Sequence, residues 1–266
     1  MDRNSYDTDL TDEQWEIIEP LVRFDADGPG KRPTIPRREI MNAIRYLVRT
    51  GCQWRLIPHD FPNWHTVRDY YDQWRHDGTW RCMNELLIEL LRIKEEREAS
   101  PSVLILDSQS VKTTEMGGEV GIDGGKKIKG RKRTIAVDSL GNLHEVVVHA
   151  ANIADCVGGE MLVERLARRE YPRLEVVMGD SSYAKGNMDR IVEDDLGCRL
   201  DIATRDEKTK SFVPQAIRWI VEQTFACLGR NRRLSKDYEY ENGSSEAVVL
   251  IASIGRLLNR LVPKIE

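Results

Sequence analysis

Apolar residues recur at helical spacing through the first hundred residues of the chain. The segment Thr11-Asp-Glu-Gln14 has the pattern of a capping box, which marks the start of a helix. Gly51 suits the C-terminal end of a second helix, and apolar positions one turn apart predict two more helices over 66–77 and 80–97. We therefore expect an all-helical N-terminal domain over residues 1–99.

After residue 100 the pattern changes to short apolar runs that alternate with helical segments. Val103–Leu106 is an apolar run typical of a buried strand, and Leu140–Asn142 has a hairpin signal. The other predicted strands span 134–138, 144–149, 174–178 and 199–203, and the predicted helices span 156–170, 185–195, 214–228 and 246–261. This order predicts an α/β domain, with a five-stranded mixed sheet flanked by helices, over residues 100–266.

The composition excludes several classes of protein. Of the 266 residues, 40% are hydrophobic, and 40 Lys and Arg against 44 Asp and Glu give a net charge of −4, which excludes a disordered chain. The five cysteines are scattered without a CxxC pair, so neither a disulfide scaffold nor a structural zinc site is expected. No apolar run reaches the roughly 18 residues of a membrane span, and the polar N-terminus is unlike a signal peptide. We expect a protein of a reducing cytoplasm.

Three acidic residues occupy positions at which α/β proteins bind ligands. Asp107 and Asp180 each follow a short predicted strand, and open α/β sheets bind ligands beyond the carboxyl ends of their strands. Glu222 lies at the edge of the apolar face of the predicted helix 214–228. Three such carboxylates suit two Mg²⁺ ions, and two ions about 3.5–4 Å apart promote phosphodiester cleavage.

Each acidic residue also has an ordinary structural interpretation. An aspartate at a strand end often forms a turn, and Glu222 could pair with Arg218 one helical turn away. Asp138 is interpreted as a turn former, and Asp155 as the N-cap of helix 156–170. The functional interpretation therefore depends on Asp107, Asp180 and Glu222 occurring together.

Two local clusters of basic residues counter the negative net charge. In the first cluster, six of the eight residues from 126 to 133 are basic, and we expect them in a loop beside the sheet. The second cluster follows the predicted helix 214–228 and consists of Arg230, Arg232, Arg233 and Lys236. Such clusters give salt-dependent affinity for DNA through its phosphates, whereas the alternative is a solvated approach to a hairpin. The candidate DNA contacts are Lys126, Lys127, Lys129, Arg131, Lys132, Arg133, Arg218, Arg230, Arg232, Arg233 and Lys236.

The N-terminal domain is a second candidate for DNA binding. Helices over 35–50 and 66–77 would form a helix-turn-helix whose base-reading side chains are Arg68, Asp69, Gln73 and Arg75. The connection between the two helices is longer than the usual turn, so a plain helical bundle stays an alternative. We expect the core of this domain to contain Trp54, Trp64, Trp74 and Trp80.

Taken together, these segments resemble the DDE transposases of bacterial insertion sequences, in particular the short members of insertion-sequence family five. The resemblance covers essentially the whole chain. It is most specific in the last of the segments that carry it, which are Leu10–Trp15, Arg38–Leu47, Gly51–Pro58, Leu106–Ser110, Lys129–Arg133, Gly179–Tyr183, Arg218–Phe225 and Arg230–Tyr238.

The resemblance implies an RNase H-like core and a catalytic triad of Asp107, Asp180 and Glu222. These residues would bind Mg²⁺, with Mn²⁺ as a substitute, and two ions are expected. The implied reaction is cleavage at the 3′ ends of the element and strand transfer of those ends into target DNA. The implied partners are the terminal inverted repeats and target DNA, bound by a homodimer or larger assembly in the bacterial cytoplasm, at the nucleoid and without a membrane.

The third motif departs from the family's pattern of Tyr, Arg, Glu and Lys. Arg218 and Glu222 match, but Gln215 stands at the Tyr position and Gly229 at the Lys position. The terminal-phosphate contact that the resemblance assigns to the Lys must therefore shift, with Arg230, Arg233 and Lys236 as candidates.

Two other functions share parts of this pattern. An RNase H-like nuclease without strand transfer would use the same three carboxylates. A transposase-derived DNA-binding protein without catalytic activity would use the N-terminal domain alone, and it would not need the carboxylates.

Overall fold

A computed structural model of the chain describes residues 3–22, 35–115, 117–203 and 213–264, with only the backbone at 213–218. The helices are α1 (Asp12–Val22), α2 (Arg37–Thr50), α3 (Trp64–His76), α4 (Thr79–Lys94), α5 (Asp155–Leu166), α6 (Met188–Leu196), α7 (Val213–Gly229) and α8 (Asn242–Leu261). The strands are β1 (Val103–Lys112), β2 (Gly121–Asp123), β3 (Ile128–Asp138), β4 (Leu143–Ala150), β5 (Val176–Gly179) and β6 (Arg199–Ile202). No helix in these described ranges is long and apolar enough to cross a membrane.

Local signals of the sequence determine where the N-terminal helices begin and end. At the start of α1, the Gln14 amide donates to Thr11 Oγ1 at 3.2 Å and the Thr11 amide to Gln14 Oε1 at 3.4 Å, so the capping box is formed. Gly51 ends α2 with φ 73°, and its amide donates to the Leu47 carbonyl. This left-handed conformation favours glycine because it has no Cβ. The predicted helices are confirmed with shifts of a few residues.

The sheet is mixed, as predicted, but it has a sixth strand and longer central strands. Its order is β2-β3-β1-β5-β6, with β4 paired to β3. β1 is antiparallel to β3 over residues 104–112 and parallel to β5 over residues 103–105 only. Because β1 and β3 pair with each other, polar residues of both strands are part of the antiparallel ladder. Asp107 therefore lies within β1 rather than at its end, and the basic run after residue 128 lies in β3 rather than in a loop.

One hydrophobic cluster runs from the N-terminal helices to one face of the sheet. α8 lies at its centre, and thirteen of its 20 residues are buried. Trp74 and Trp80 meet edge to face in this cluster, with ring centroids 5.2 Å apart. The predicted boundary at residues 99/100 falls in the connection between α4 and β1, and the apolar core is continuous across it. A second cluster packs α5 and α6 on the other face.

A buried carboxylate on α8 connects elements on both faces of the sheet. Glu246 is 4% exposed. It accepts hydrogen bonds from Arg81 of α4 at 3.2 Å and from Arg165 of α5 at 2.6 Å. Its other oxygen accepts the Val148 amide of β4 at 3.1 Å. Four elements therefore meet at one charged group whose burial is compensated by charge-assisted hydrogen bonds.

Asp138 forms the hairpin turn between β3 and β4, as predicted. Its Oδ1 accepts the amides of Leu140 and Asn142, each at 2.9 Å, and its Oδ2 is 2.6 Å from Nη1 of Arg92. Burial alone would raise the pKa of this carboxyl. The hydrogen bonds and charges of His144, the Asn142 backbone and Arg92 outweigh burial and hold the pKa far below its usual range.

We predict that Asp138→Asn lowers the free energy of unfolding by about 3–5 kcal/mol at pH 7, because it leaves Arg92 buried without a counter-charge. Because the folded-state pKa is depressed, the contribution of Asp138 is complete above the unfolded pKa of about 4 and declines as pH falls toward the folded-state value. The difference between the two proteins should therefore shrink by about 1 kcal/mol between pH 5 and pH 3.

Urea unfolding at the three pH values measures this difference. The matched control is Asp194→Asn, which breaks an exposed pair with Arg190 and should change stability by less than about 0.5 kcal/mol. Equal stability of Asp138→Asn and Asp194→Asn would show that the buried pair contributes nothing.

Candidate active site

Asp107 and Asp180 lie on neighbouring strands that run in parallel. Ile105 of β1 pairs with Met178 of β5, and each aspartate comes two residues later in its chain. Ile105 and Met178 belong to the hydrophobic cluster that also includes Val221 of α7. Because side chains alternate between the faces of a sheet, Asp107 is on the α7 side. The structure thus brings the two predicted aspartates to one edge of the parallel pair.

Asp107 and Asp180 differ in burial and in the backbone structure that carries them. Asp107 is half-buried and pairs with Ile135 of β3 in the antiparallel ladder. Its Oδ1 accepts the Ser108 amide at 2.7 Å. Asp180 is exposed directly after β5, and its Oδ1 accepts the amide of Ser182 at 2.8 Å and the hydroxyl of Ser182 at 2.5 Å. The turn predicted as the ordinary interpretation of Asp180 is therefore present as well.

Glu222 lies on the exposed flank of α7. The helix packs against β1 and buries Val221, Phe225 and Leu228, and the Glu222 side chain is exposed beside this buried stripe. The sequence placed Glu222 at the edge of the apolar face, and this is confirmed. The side chains of Gln215 and Arg218 lie outside the described residues, as does the predicted pairing of Arg218 with Glu222.

Tyr183 anchors the turn that carries Asp180. A Cβ on Gly159 of α5 would lie 2.8 Å from the Tyr183 ring, and a Cβ on Gly179 would lie 3.0 Å from it. Both glycines are thus needed for the ring to pack against α5 and β5. Burial, followed by the charges of Asp107, Asp155 and Asp180, raises the pKa of Tyr183 well above its usual value.

Asp155 is close to this group of carboxylates, and its predicted role was wrong. Ala154 is the N-cap of α5, and Asp155 is the first residue of the helix. Its Oδ1 accepts the Ser108 hydroxyl at 2.7 Å and pairs with Lys132 at 2.9 Å. Burial would raise the pKa of Asp155, but these two hydrogen bonds outweigh it and lower the pKa. An aspartate that caps a helix and an aspartate in its first turn give nearly the same signal in the sequence. For Tyr183, the only signal in the sequence was its position shortly after Gly179.

The donor set of the three predicted residues fits Mg²⁺, which prefers carboxylate oxygens. Asp107 and Asp180 supply two carboxylates at the point where parallel pairing ends, and Glu222 supplies a third from α7. Among the residues that the structure describes, no three His, Cys, Asp or Glu side chains lie close enough to share one ion. The three carboxylates are therefore suitable in kind as metal ligands, but in this structure they are not close enough to share one ion.

Two family models match the chain. The transposase DDE domain matches residues 98–254, which include the whole sheet, Asp107, Asp180 and Glu222. A model for transposases of the IS4/5 family matches residues 10–84, which cover most of the N-terminal helices. The chain belongs to the DDE transposases of the IS4/5 type. The fold of this transposase is accordingly RNase H-like, preceded by a helical N-terminal region.

Two curated relatives are consistent with this assignment. The insertion element IS402 uncharacterized 16.2 kDa protein of Burkholderia cepacia is 28% identical over 122 residues, which are 42% of this chain and 78% of the relative. The uncharacterized protein y4sN of Sinorhizobium fredii is 31% identical over 104 residues, which are 39% of this chain and 75% of the relative. The first name assigns that relative to an insertion element.

Four of the basic residues that were candidate DNA contacts are buried in the transposase. Arg131 donates to the carbonyls of Glu239 and Tyr240 at 2.8 and 2.6 Å. Arg133 donates to the Leu234 carbonyl at 2.9 Å. Lys132 pairs with Asp155, and Arg233 pairs with Glu239 at 2.7 Å and donates to the Cys52 carbonyl. These contacts correct the prediction, because Arg131, Lys132, Arg133 and Arg233 are committed to the protein interior.

The other basic candidates with described side chains are exposed. Lys126, Lys127 and Lys129 lie at and beside the turn between β2 and β3. Arg230, Arg232 and Lys236 follow α7. On α3, Arg68, Asp69 and Gln73 are exposed, whereas Arg75 pairs with Glu241 at 2.7 Å. Among these residues, the exposed basic ones are those that can reach a DNA backbone.

We predict that Gly159→Ala lowers the free energy of unfolding by about 1–2 kcal/mol, because overpacking against the Tyr183 ring exceeds the gain in helix propensity. Displacement of the ring would also move the turn of Asp180 and reduce DNA cleavage. Chemical denaturation and a cleavage assay measure the two effects. The control is Gly229→Ala in α7, where a Cβ meets nothing within 4 Å. A Gly159→Ala protein as stable as the control would contradict the packing role of Tyr183.

Proposed function

We propose that this transposase cleaves DNA at the ends of an insertion element and transfers the freed 3′ ends into target DNA, with Asp107, Asp180 and Glu222 as metal ligands. One observation carries the proposal. Asp107 and Asp180 each come two residues after the last β1–β5 pair, Ile105 and Met178, and Asp107 is on the face of the sheet that α7 covers. Asp180 follows β5 directly, and α/β sheets bind ligands beyond the carboxyl ends of their parallel strands.

When bound, two Mg²⁺ ions, or Mn²⁺ in their place, would activate the attacking oxygen and stabilise the leaving oxygen of a phosphodiester. Asp107 would supply a carboxylate fixed by the antiparallel ladder, and Asp180 one carried on the turn anchored by Tyr183. Glu222 would close the set from α7. Three neighbouring carboxylates repel one another, and a bound cation would offset that repulsion and draw them together.

The chain's remaining contribution is to hold and orient DNA. The exposed lysines of the β2–β3 turn and the exposed basic residues after α7 would bind backbone phosphates on either side of the carboxylates. Such contacts position a strand without reading its sequence. Pairing of two element ends requires two active sites, so we propose that the protein acts as a dimer or a larger assembly on DNA.

We predict that Asp107→Asn, Asp180→Asn and Glu222→Gln each reduce cleavage of element-end DNA by about 100- to 1,000-fold while leaving DNA affinity within about threefold. This is the range expected when a group that positions charge in the transition state is lost. Gel assays of cleavage and strand transfer, with Mg²⁺ and with Mn²⁺, measure activity. Filter binding measures DNA affinity.

The matched control is Glu193→Gln, an exposed carboxylate on α6, which should retain full activity. Cleavage by any of the three variants at the wild-type rate would remove that residue from the triad. Cleavage without joined products in the wild type would indicate a nuclease that does not transfer strands.

We predict that replacing Lys126, Lys127 and Lys129 with Gln lowers the slope of log affinity against log salt by about 0.9 for each lysine that contacts a phosphate. Titrations of a labelled duplex from 50 to 300 mM salt measure the slope. Arg190→Gln, an exposed change on α6, is the control. An unchanged slope in the triple variant would mean that the β2–β3 turn does not touch DNA.

A further inference from the structure

A pocket lined by arginines lies between the N-terminal segment, α2, the end of α7 and α8. Its volume is about 650 Å³. Five arginines line it, whereas Asp7 is the one acidic residue of its lining within the described part of the chain. The five are Arg45, Arg49, Arg230, Arg256 and Arg260.

Most of these arginines bind backbone carbonyls rather than carboxylates. Arg45 donates to the Thr8 carbonyl at 3.0 Å, Arg49 to the Arg230 carbonyl at 2.9 Å and Arg256 to the Gly141 carbonyl at 2.6 Å. Within the described ranges, only Arg260 of the five forms an ion pair, with Glu95 at 3.4 Å. Each carbonyl fixes a guanidinium but supplies no full negative charge to balance it.

The buried part of the pocket is electrostatically unfavourable as it stands. Arg45 is 8% exposed, and its Nη1 and the nearby Thr8 Oγ1 have no hydrogen-bond partner in the described part of the chain. Burial lowers the pKa of Arg45 to about 10 and also lowers the pKa of Arg256. A buried polar group without a partner usually marks a bound water, ion or ligand. Asp9 offsets this burial only in part, and a bound anion would supply further negative charge.

The size and the shape of the donor set favour phosphate over a simple halide. Guanidinium groups bind phosphate oxygens through paired N–H donors, and several arginines face one space here. Tyr6 and Tyr46 also line the pocket. Arg230 follows Glu222 by eight residues, about 12 Å along α7, so a strand held at the carboxylates would come within reach of the pocket.

We propose that this arginine pocket binds phosphate groups, supplied by the DNA backbone or by a free polyphosphate such as a nucleotide. The DNA source rests on the proposed function, whereas the pocket itself does not. A purely structural role, in which the arginines only cap α7 and the hairpin carbonyls, predicts no anion binding at all.

Gly255 provides a direct test, because it lines the pocket and a Cβ there would meet nothing within 4 Å. Gly255→Glu adds a carboxylate that competes for the arginines, and Gly255→Gln fills the same space without the charge. Arg49→Gln removes one exposed guanidinium, and Arg190→Gln on α6 is its control. Thermal unfolding of each full-length variant confirms that it is folded.

Two measurements without divalent metal distinguish the sources. Calorimetry with inorganic tripolyphosphate reports a free anion, and salt titration of a 20-base-pair duplex reports the DNA backbone. Loss of one phosphate contact weakens duplex binding about eightfold at 0.1 M salt and lowers the salt slope by about 0.9. We expect this for Arg49→Gln, and a loss at least as large for Gly255→Glu relative to Gly255→Gln.

Each outcome has one meaning. Weaker duplex binding in Arg49→Gln and Gly255→Glu supports the pocket with DNA as its ligand. Weaker tripolyphosphate binding with unchanged duplex binding supports the pocket with a free polyphosphate. No change in either measurement overturns the proposal. Both measurements report binding and not cleavage. They would therefore test the pocket even if the proposed catalytic triad were wrong.

Discussion

The carboxylate of Glu246 is the interaction on which the arrangement of layers depends. It lies on the buried helix α8 and binds α4, α5 and the backbone of β4 at once. A buried charge is tolerable only when its partners are in place, so these elements must be positioned together. The N-terminal helices and the sheet thus form a common frame, and the carboxylates of the candidate site project from parts of that frame.

Predictions from sequence succeeded where the signal was local. The capping box of α1, the glycine at the end of α2 and the hairpin at Asp138 depend on residues within four positions of one another. The lengths of β1 and β3 depend instead on each other. Ser108 and Lys132 look like loop residues until antiparallel pairing provides partners for their backbone groups, and that pairing joins segments more than twenty residues apart.

The buried basic residues also depend on contacts between residues that are distant in the sequence. Arg131 and Arg133 belong to a run that resembles a solvated, DNA-binding loop, because arginine is rarely fully buried without a partner. Their partners are carbonyls about a hundred residues later in the chain. For the candidate site, the strand-end rule led to Asp107 and Asp180, although Asp107 lies within β1 because its ladder with β3 continues to residue 112. The rule gave no indication that Asp155 lies near the candidate site, because Asp155 is held there by Ser108 of β1 and by Lys132.

The two-sided pairing of β1 has a consequence for the timescales of the site. The backbone around Asp107 is held by an antiparallel ladder that continues for several residues on both sides, whereas Asp180 follows a strand of four residues. Local opening requires breaking many more bonds at the first position than at the second. Amide hydrogens near Asp107 should therefore exchange with solvent slowly and those near Asp180 quickly, so that one carboxylate acts as a fixed reference to which the other adjusts.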